Sequence, residues 1–159
     1  MAFPIRKSPR LSDYDYRANG YYFITICTHR KEKLLCKIVG EGLCALPSVI
    51  LSDIGQSVYE AIRFISENYT GVSVDHYVIM PNHIHMLICF CRDSGGRGDP
   101  PLHDIIARFK SFTTHKYQNT LWQRSFHDHI IRGENDYFKI WQYIDSNPSK
   151  WKDDCFYTP

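Results

Sequence analysis

Met80-Pro81-Asn82-His83-Ile84-His85-Met86-Leu87 decides how the rest of the chain is read. A Pro-Asn turn leads into two histidines with one apolar residue between them, and the apolar run continues through Ile88-Cys89-Phe90. Val78, Ile79, Leu87 and Ile88 give both flanks strand propensity. Side chains alternate faces along a strand, so His83 and His85 project together while Ile84 points the other way. Pro81 has no N–H to give a ladder, so pairing breaks just before the histidines and leaves them at a strand mouth. Two imidazoles side by side at a strand end can chelate one metal ion. A His-x-His triplet also arises by chance, as half-buried histidines opening a strand, so the pair needs support from elsewhere.

Outward from that stretch, hydrophobic periodicity gives the rest of the elements. Tyr21 to Thr28 is a β-branched and aromatic strand, and 34–39 with 43–46 around Gly40-Glu41-Gly42 predicts a short hairpin that Pro47 ends. Ser52 caps a helix carried by Ile54, Val58, Ile62 and Ile65, which stops at Asn68-Tyr69-Thr70-Gly71. Val72 to Met80 and His83 to Cys91 form a pair of apolar, central strands. Ser94-Gly95-Gly96-Arg97-Gly98-Asp99-Pro100 is a loop. Leu102, Ile105, Ile106, Phe109 and Phe112 mark an amphipathic helix, 126–131 a strand, and Gly133-Glu134-Asn135-Asp136 starts a last helix, with acids in its first turn, that Pro148 closes. The order of elements predicts an α+β fold, an antiparallel sheet with helices on one side.

Composition is that of an ordinary globular chain: 159 residues, 43% hydrophobic and 23% charged, with a formal charge of only +2. That excludes a strong global field, so any basic surface must be local. Residues 1–19, with Arg6, Lys7, Arg10 and Arg17, read as a basic N-terminal arm, and 20–159 as one domain. Six cysteines without a Cys-x-x-Cys pair, and no apolar leader after Met1, lead to the expectation of reduced thiols in a cytoplasmic protein. No apolar run approaches the roughly 20 residues of a membrane span.

The last helix carries a second signal. Tyr137, Ile140, Trp141 and Ile144 share one apolar stripe at helical spacing. Tyr143 lies roughly 120° from the centre of that stripe, beside Asp136 and Asn147, with Asn147 one turn on. A phenol and an amide are thus presented together on a polar flank.

In this order, Met80-Pro81-Asn82-His83-Ile84-His85, then Trp122-Gln123-Arg124-Ser125-Phe126-His127-Asp128-His129-Ile130-Ile131-Arg132, then Tyr143-Ile144-Asp145-Ser146-Asn147-Pro148 resembles the REP-associated tyrosine transposases. These are the single-tyrosine branch of the HUH endonucleases. Tyr14-Asp15-Tyr16, Gly20 to Thr28 and Phe109-Lys110-Ser111 extend the resemblance over nearly the whole chain.

The resemblance implies a ferredoxin-like antiparallel sheet with helices mainly on one face. It implies a metal-dependent transposase that cleaves single-stranded DNA near hairpins through a covalent phosphotyrosine. His83, His85 and Asn147 match the metal ligands and Tyr143 the nucleophile. The family attaches through a 5′-phosphotyrosine and leaves a free 3′-OH. Imidazole and amide donors with open positions suit Mg²⁺ or Mn²⁺. The expected partner is single-stranded or hairpin DNA. Monomer and homodimer are both open, as is whether Tyr143 serves its own histidines or a partner's. Lys110, Arg124, Arg132 and Lys150 are candidate phosphate contacts, and Trp122 a candidate platform for an unpaired base. The second His-x-His, His127-Asp128-His129, has an acidic middle residue and reads as structural or DNA-contacting. Two rival readings follow: a non-catalytic hairpin-binding protein of the same fold, and a Zn-dependent hydrolase.

Overall fold

Period-two alternation organises the sheet. In a computed structural model, which describes residues 14–40, 47–93 and 100–159, the elements in chain order are β1 (Gly20–Cys27), β2 (Cys36–Val39), β3 (Ser48–Leu51), α1 (Asp53–Asn68), β4 (Val72–Ile79), β5 (His83–Phe90), α2 (Leu102–Tyr117), β6 (His127–Ile130) and α3 (Glu134–Ser146). β4, β5, β1 and β6 form one sheet in that spatial order, every neighbouring pair antiparallel. The crossovers β1–α1–β4 and β5–α2–β6 each skip one strand, which is the ferredoxin-like arrangement and the α+β fold expected from the sequence.

One face of the sheet is the core. Tyr22, Ile24 and Ile26 of β1 and Ile84, Met86 and Ile88 of β5 are fully buried there. They pack against Val58, Ile62 and Ile65 of α1 and Ile105, Ile106 and Phe109 of α2. The i, i+3, i+4 spacing read in the sequence is the spacing of these contacts. The other face carries the odd residues of β1 and β5, and α3 lies over it. Tyr137 of α3 meets Tyr21 edge-on at 4.9 Å between ring centroids, and Tyr143 meets Phe23 at 6.1 Å. Two helices thus share one face and α3 lies on the opposite one.

Two sequence expectations change. The partner of β2 is Ser48–Leu51, beyond Pro47. Pro47 has no ladder N–H to give but tolerates the position just before a strand, and Val49-Ile50-Leu51 supplies the strand propensity. The 43–46 segment lies outside the described residues, as does most of the basic arm. β4, expected as a central strand, is an edge strand, because β1 takes the other side of β5.

Ser52 caps α1 as expected. Its Oγ accepts from the Gly55 N–H at 3.0 Å and lies 2.6 Å from the Leu34 carbonyl, to which it donates. That draws the helix start onto the 34–35 backbone so closely that a Cβ on Gly55 would stand 1.9 Å from the Leu35 carbonyl oxygen. Gly55→Ala is therefore expected to cost about 1–3 kcal/mol despite the better helix propensity of alanine. A denaturant-unfolding midpoint measures it, and an unchanged or raised midpoint contradicts this packing.

Candidate metal and tyrosine site

The turn between β4 and β5 is built from its sequence. Met80 N–H donates to the His83 carbonyl at 2.9 Å, closing a four-residue turn with Pro81 and Asn82 at its centre. The turn is covered rather than exposed: Thr28 N–H donates to the Asn82 carbonyl at 2.9 Å and Leu35 N–H to the Pro81 carbonyl at 3.0 Å. His83 and His85 therefore open β5 beneath other chain segments, with relative exposures of 0% and 1%.

The two rings meet through their Nε2 atoms, 3.1 Å apart. Each ring is held from behind. His83 Nδ1 lies 2.9 Å from Asn82 Oδ1 and His85 Nδ1 lies 2.8 Å from Thr25 Oγ1. The Asn82 side-chain nitrogen donates to the Phe156 carbonyl at 2.8 Å and the Lys31 carbonyl at 3.3 Å, so its oxygen is the acceptor facing His83. His83 Nδ1 must then carry the proton, which leaves the Nε2 lone pair aimed at the site. The Thr25 hydroxyl can donate or accept, so His85 can hold its proton on either nitrogen.

Burial keeps both rings neutral. It lowers the pKa of His83 from 6.5 to about 3, with the nearby Lys31 charge adding to the effect. Burial likewise lowers His85 to about 3, assisted by His83 and opposed by Asp154. A neutral imidazole is the form that ligates a metal.

Tyr143 reaches the same point from α3. Its hydroxyl stands 3.4 Å from His85 Nε2, within one chain. Burial, and then the Asp154 charge, raise its pKa to about 12, so the phenol holds its proton at neutral pH. Asn147 follows one turn on and is buried, with its Nδ2 donating to Asp154 Oδ2 at 2.9 Å. Its Oδ1 is buried with no hydrogen-bond partner.

Asp154 is the residue that sequence reasoning missed. A 3-10 turn over Pro148–Asp153 brings the chain back across the site. The Asp154 side chain is only 2% exposed and its Oδ2 is 3.9 Å from His83 Nε2. Donor atoms of His83, His85 and Asp154 all lie within 4.8 Å of one another, a spacing that could hold a metal ion. Phe156 N–H fixes the other oxygen at 2.7 Å. The signal was the pair of acids at Asp153-Asp154 shortly after the Tyr-x-x-x-Asn turn, but nothing in the sequence gives the direction of the return.

The expected DNA contacts divide. Trp122 is buried at 5% exposure, packs on Phe109 and donates from its indole N–H to Thr113 Oγ1 at 2.7 Å. It has no free ring face for a base. Lys110 donates to the carbonyls of Gln123 and Arg124, at 2.5 and 3.1 Å. Both residues tie α2 to the 121–124 segment. Arg124, Arg132 and Lys150 are exposed. His129 pairs with Asp136 at 2.8 Å on the surface, so one histidine of the second His-x-His is used at the start of α3.

Here a buried, metal-compatible histidine pair on an antiparallel sheet faces a helix-borne phenol. The fold beneath it is similar to that of a REP-associated tyrosine transposase. The solved structure of one, bound to a REP hairpin, superposes at a TM-score of 0.65 with 22% identity over 89% of this chain and 73% of that one. The chain is also 34% identical over 173 residues to an uncharacterised protein of Haemophilus influenzae (strain ATCC 51907 / DSM 11121 / KW20 / Rd), covering 96% of this chain and 93% of that protein. It belongs to the same family as the Haemophilus influenzae protein. No protein-family model matches the chain.

The buried pair makes a pH prediction for the metal-free protein. In the unfolded chain each imidazole takes up a proton near 6.5, and in the folded chain only near 3. Between those values the unfolded state binds more protons, so stability is full above about 6.5 and falls as pH drops towards 3. Urea midpoints measured in chelator across this range should decline, and the slope should flatten in His83→Gln. A wild-type slope in that variant contradicts the assignment.

Proposed function

We propose that this protein is a metal-dependent DNA strand transferase of the HUH single-tyrosine type. It would cleave single-stranded DNA beside a hairpin and hold one end on Tyr143. The observation that carries this is the meeting of one phenol, two neutral Nε2 atoms and one buried carboxylate at a single point. The REP-associated transposase of like fold is bound to a REP hairpin, which supports hairpin DNA as the substrate class.

The donor set fits a divalent ion such as Mg²⁺ or Mn²⁺. Ligands at right angles around an ion with bonds of about 2.1 Å stand roughly 3 Å apart, and the two Nε2 atoms are 3.1 Å apart. His83, His85 and Asp154 would hold the ion, and the orphaned Asn147 Oδ1 is available as a further oxygen donor. A bound ion supplies charge neutralisation and orientation for a non-bridging phosphate oxygen.

The chain's own residues do the rest. Asn82 and Thr25 fix the two rings from behind, and Asn147 and the Phe156 N–H fix the carboxylate. Tyr143 supplies the nucleophile. In the step, its oxygen bonds to phosphorus, the bond to the 3′-oxygen of the leaving strand breaks, and that oxygen takes a proton to become a 3′-OH. The phenol proton leaves in the same step, because Tyr143 is not ionised beforehand. The phosphotyrosine keeps the bond energy for rejoining to another strand. Arg124, Arg132 and Lys150 are exposed cations suited to the phosphate backbone.

An SDS-stable protein–DNA adduct on a hairpin-bearing single strand tests the reading. It should form with Mg²⁺ or Mn²⁺ and vanish in EDTA and in Tyr143→Phe. Asn147→Ala, which releases the Asp154 carboxylate, should weaken metal affinity by about 10- to 100-fold. DNA binding with no adduct in any metal would leave a hairpin-binding protein without chemistry.

A further inference from the structure

The helix that carries Tyr143 is lightly held. α3 buries only Ile144, starts at Gly133 with φ +150 and has no side-chain N-cap bond. Its seating on the sheet depends on a few contacts, with Tyr21 and Phe23 of β1, with His85 of β5 and with an irregularity in β4.

Pairing of β4 with β5 shifts register between Val74 and His76: Val74 pairs with Ile88, His76 pairs with Leu87, and Asp75 is the extra residue. In a regular strand Val74 and His76 would share a face. The bulge breaks that parity. Val74 packs against the core on one side of the sheet, while Asp75 and His76 both meet α3 on the other. The Tyr137 hydroxyl donates to Asp75 Oδ2 at 3.4 Å, and Ser73 Oγ donates to Asp75 Oδ1 at 3.0 Å. The His76 ring stacks on Trp141 with centroids 4.3 Å apart and planes within 8° of parallel. Asp145 Oδ1 lies 3.8 Å from His76 Nε2.

We propose that this bulge is a clamp that sets the roll of α3 and so positions Tyr143, with His76 as the principal positioning residue. The proposal rests on Tyr143 being the nucleophile. Trp141 stacks on His76 of β4 and Tyr137 bridges Asp75 of β4 and Tyr21 of β1, whereas Tyr143 leaves the other flank of the helix to meet His85 of β5 and Phe23 of β1. Gripping one flank fixes the angle of the other. With side-chain tips about 6 Å from the axis, a roll of about 10° moves the phenol oxygen by about 1 Å. A misplacement of about 1 Å can cost about 100-fold in rate.

The experiment compares His76→Ala, Trp141→Ala and His76→Phe for single-turnover adduct formation, for DNA and Mn²⁺ affinity, and for amide hydrogen exchange across α3. Removal of either ring should slow adduct formation by about 10- to 100-fold, leave both affinities unchanged and speed exchange in α3 alone. His76→Phe keeps a flat ring for the stack and should recover most of the rate. A wild-type rate in His76→Ala, a His76→Phe variant as slow as His76→Ala, or a loss of DNA or metal affinity along with rate would overturn the clamp. If the wild-type protein forms no adduct, the functional reading fails by itself. Hydrogen exchange then decides the clamp: faster exchange confined to α3 in His76→Ala supports it, and unchanged exchange overturns it.

Discussion

The two-residue period of β5 is the constraint on which the rest of the structure depends. Ile84, Met86 and Ile88 go down into the core because their neighbours in β1 and the two helices require it. His83 and His85 go up for that reason alone. A slip of one residue in register would bury the imidazoles in the apolar core and expose the isoleucines, so the hydrophobic pattern guards the chemical one. The pairing of β5 with β1 places Thr25 opposite His85, which is how a residue 60 positions away comes to orient a ring.

Burying two imidazoles is costly unless they are neutral and hydrogen-bonded. The chain meets both conditions. The rings are covered by the 28–35 segment, by α3 and by the returning 154–156 segment. Every ring nitrogen has a neighbour in hydrogen-bond range. The same enclosure raises the pKa of Tyr143 and leaves Asn147 Oδ1 without a partner. A set of neutral donors around one carboxylate, with an unused oxygen beside it, is a group that could hold a metal ion.

The sheet, α1, α2 and α3 were legible because long periodic runs separate 2 from 3.6 without ambiguity. His83, His85, Tyr143 and Asn147 were named from the sequence; His83, His85 and Tyr143 lie together, and Asn147 joins them through Asp154. What the residues could not give was partner choice. Nothing local tells β4 that it will be an edge strand, or that Val72 to Ile79 will carry a bulge that turns Asp75 and His76 together. Asp154 was missed because its role depends on a 3-10 turn folding back, a tertiary event without a periodic signature. Trp122 and Lys110 resemble nucleic-acid contacts by type, yet Thr113 and two backbone carbonyls claim them, and residue type alone does not show which neighbour arrives first. The return strand at Ser48–Leu51 lies later than the sequence pattern predicts, because a proline such as Pro47 can precede a strand start as well as follow a strand end.

Whether the distant segments form one cation site facing a phenol is decided by anomalous scattering from crystals grown with Mn²⁺. A single strong peak is expected about 2.1 Å from both His83 Nε2 and His85 Nε2, with the Asp154 carboxylate also in contact and the Tyr143 hydroxyl on its open side. A fully occupied ion elsewhere, with the two imidazoles still hydrogen-bonded to each other, would contradict it.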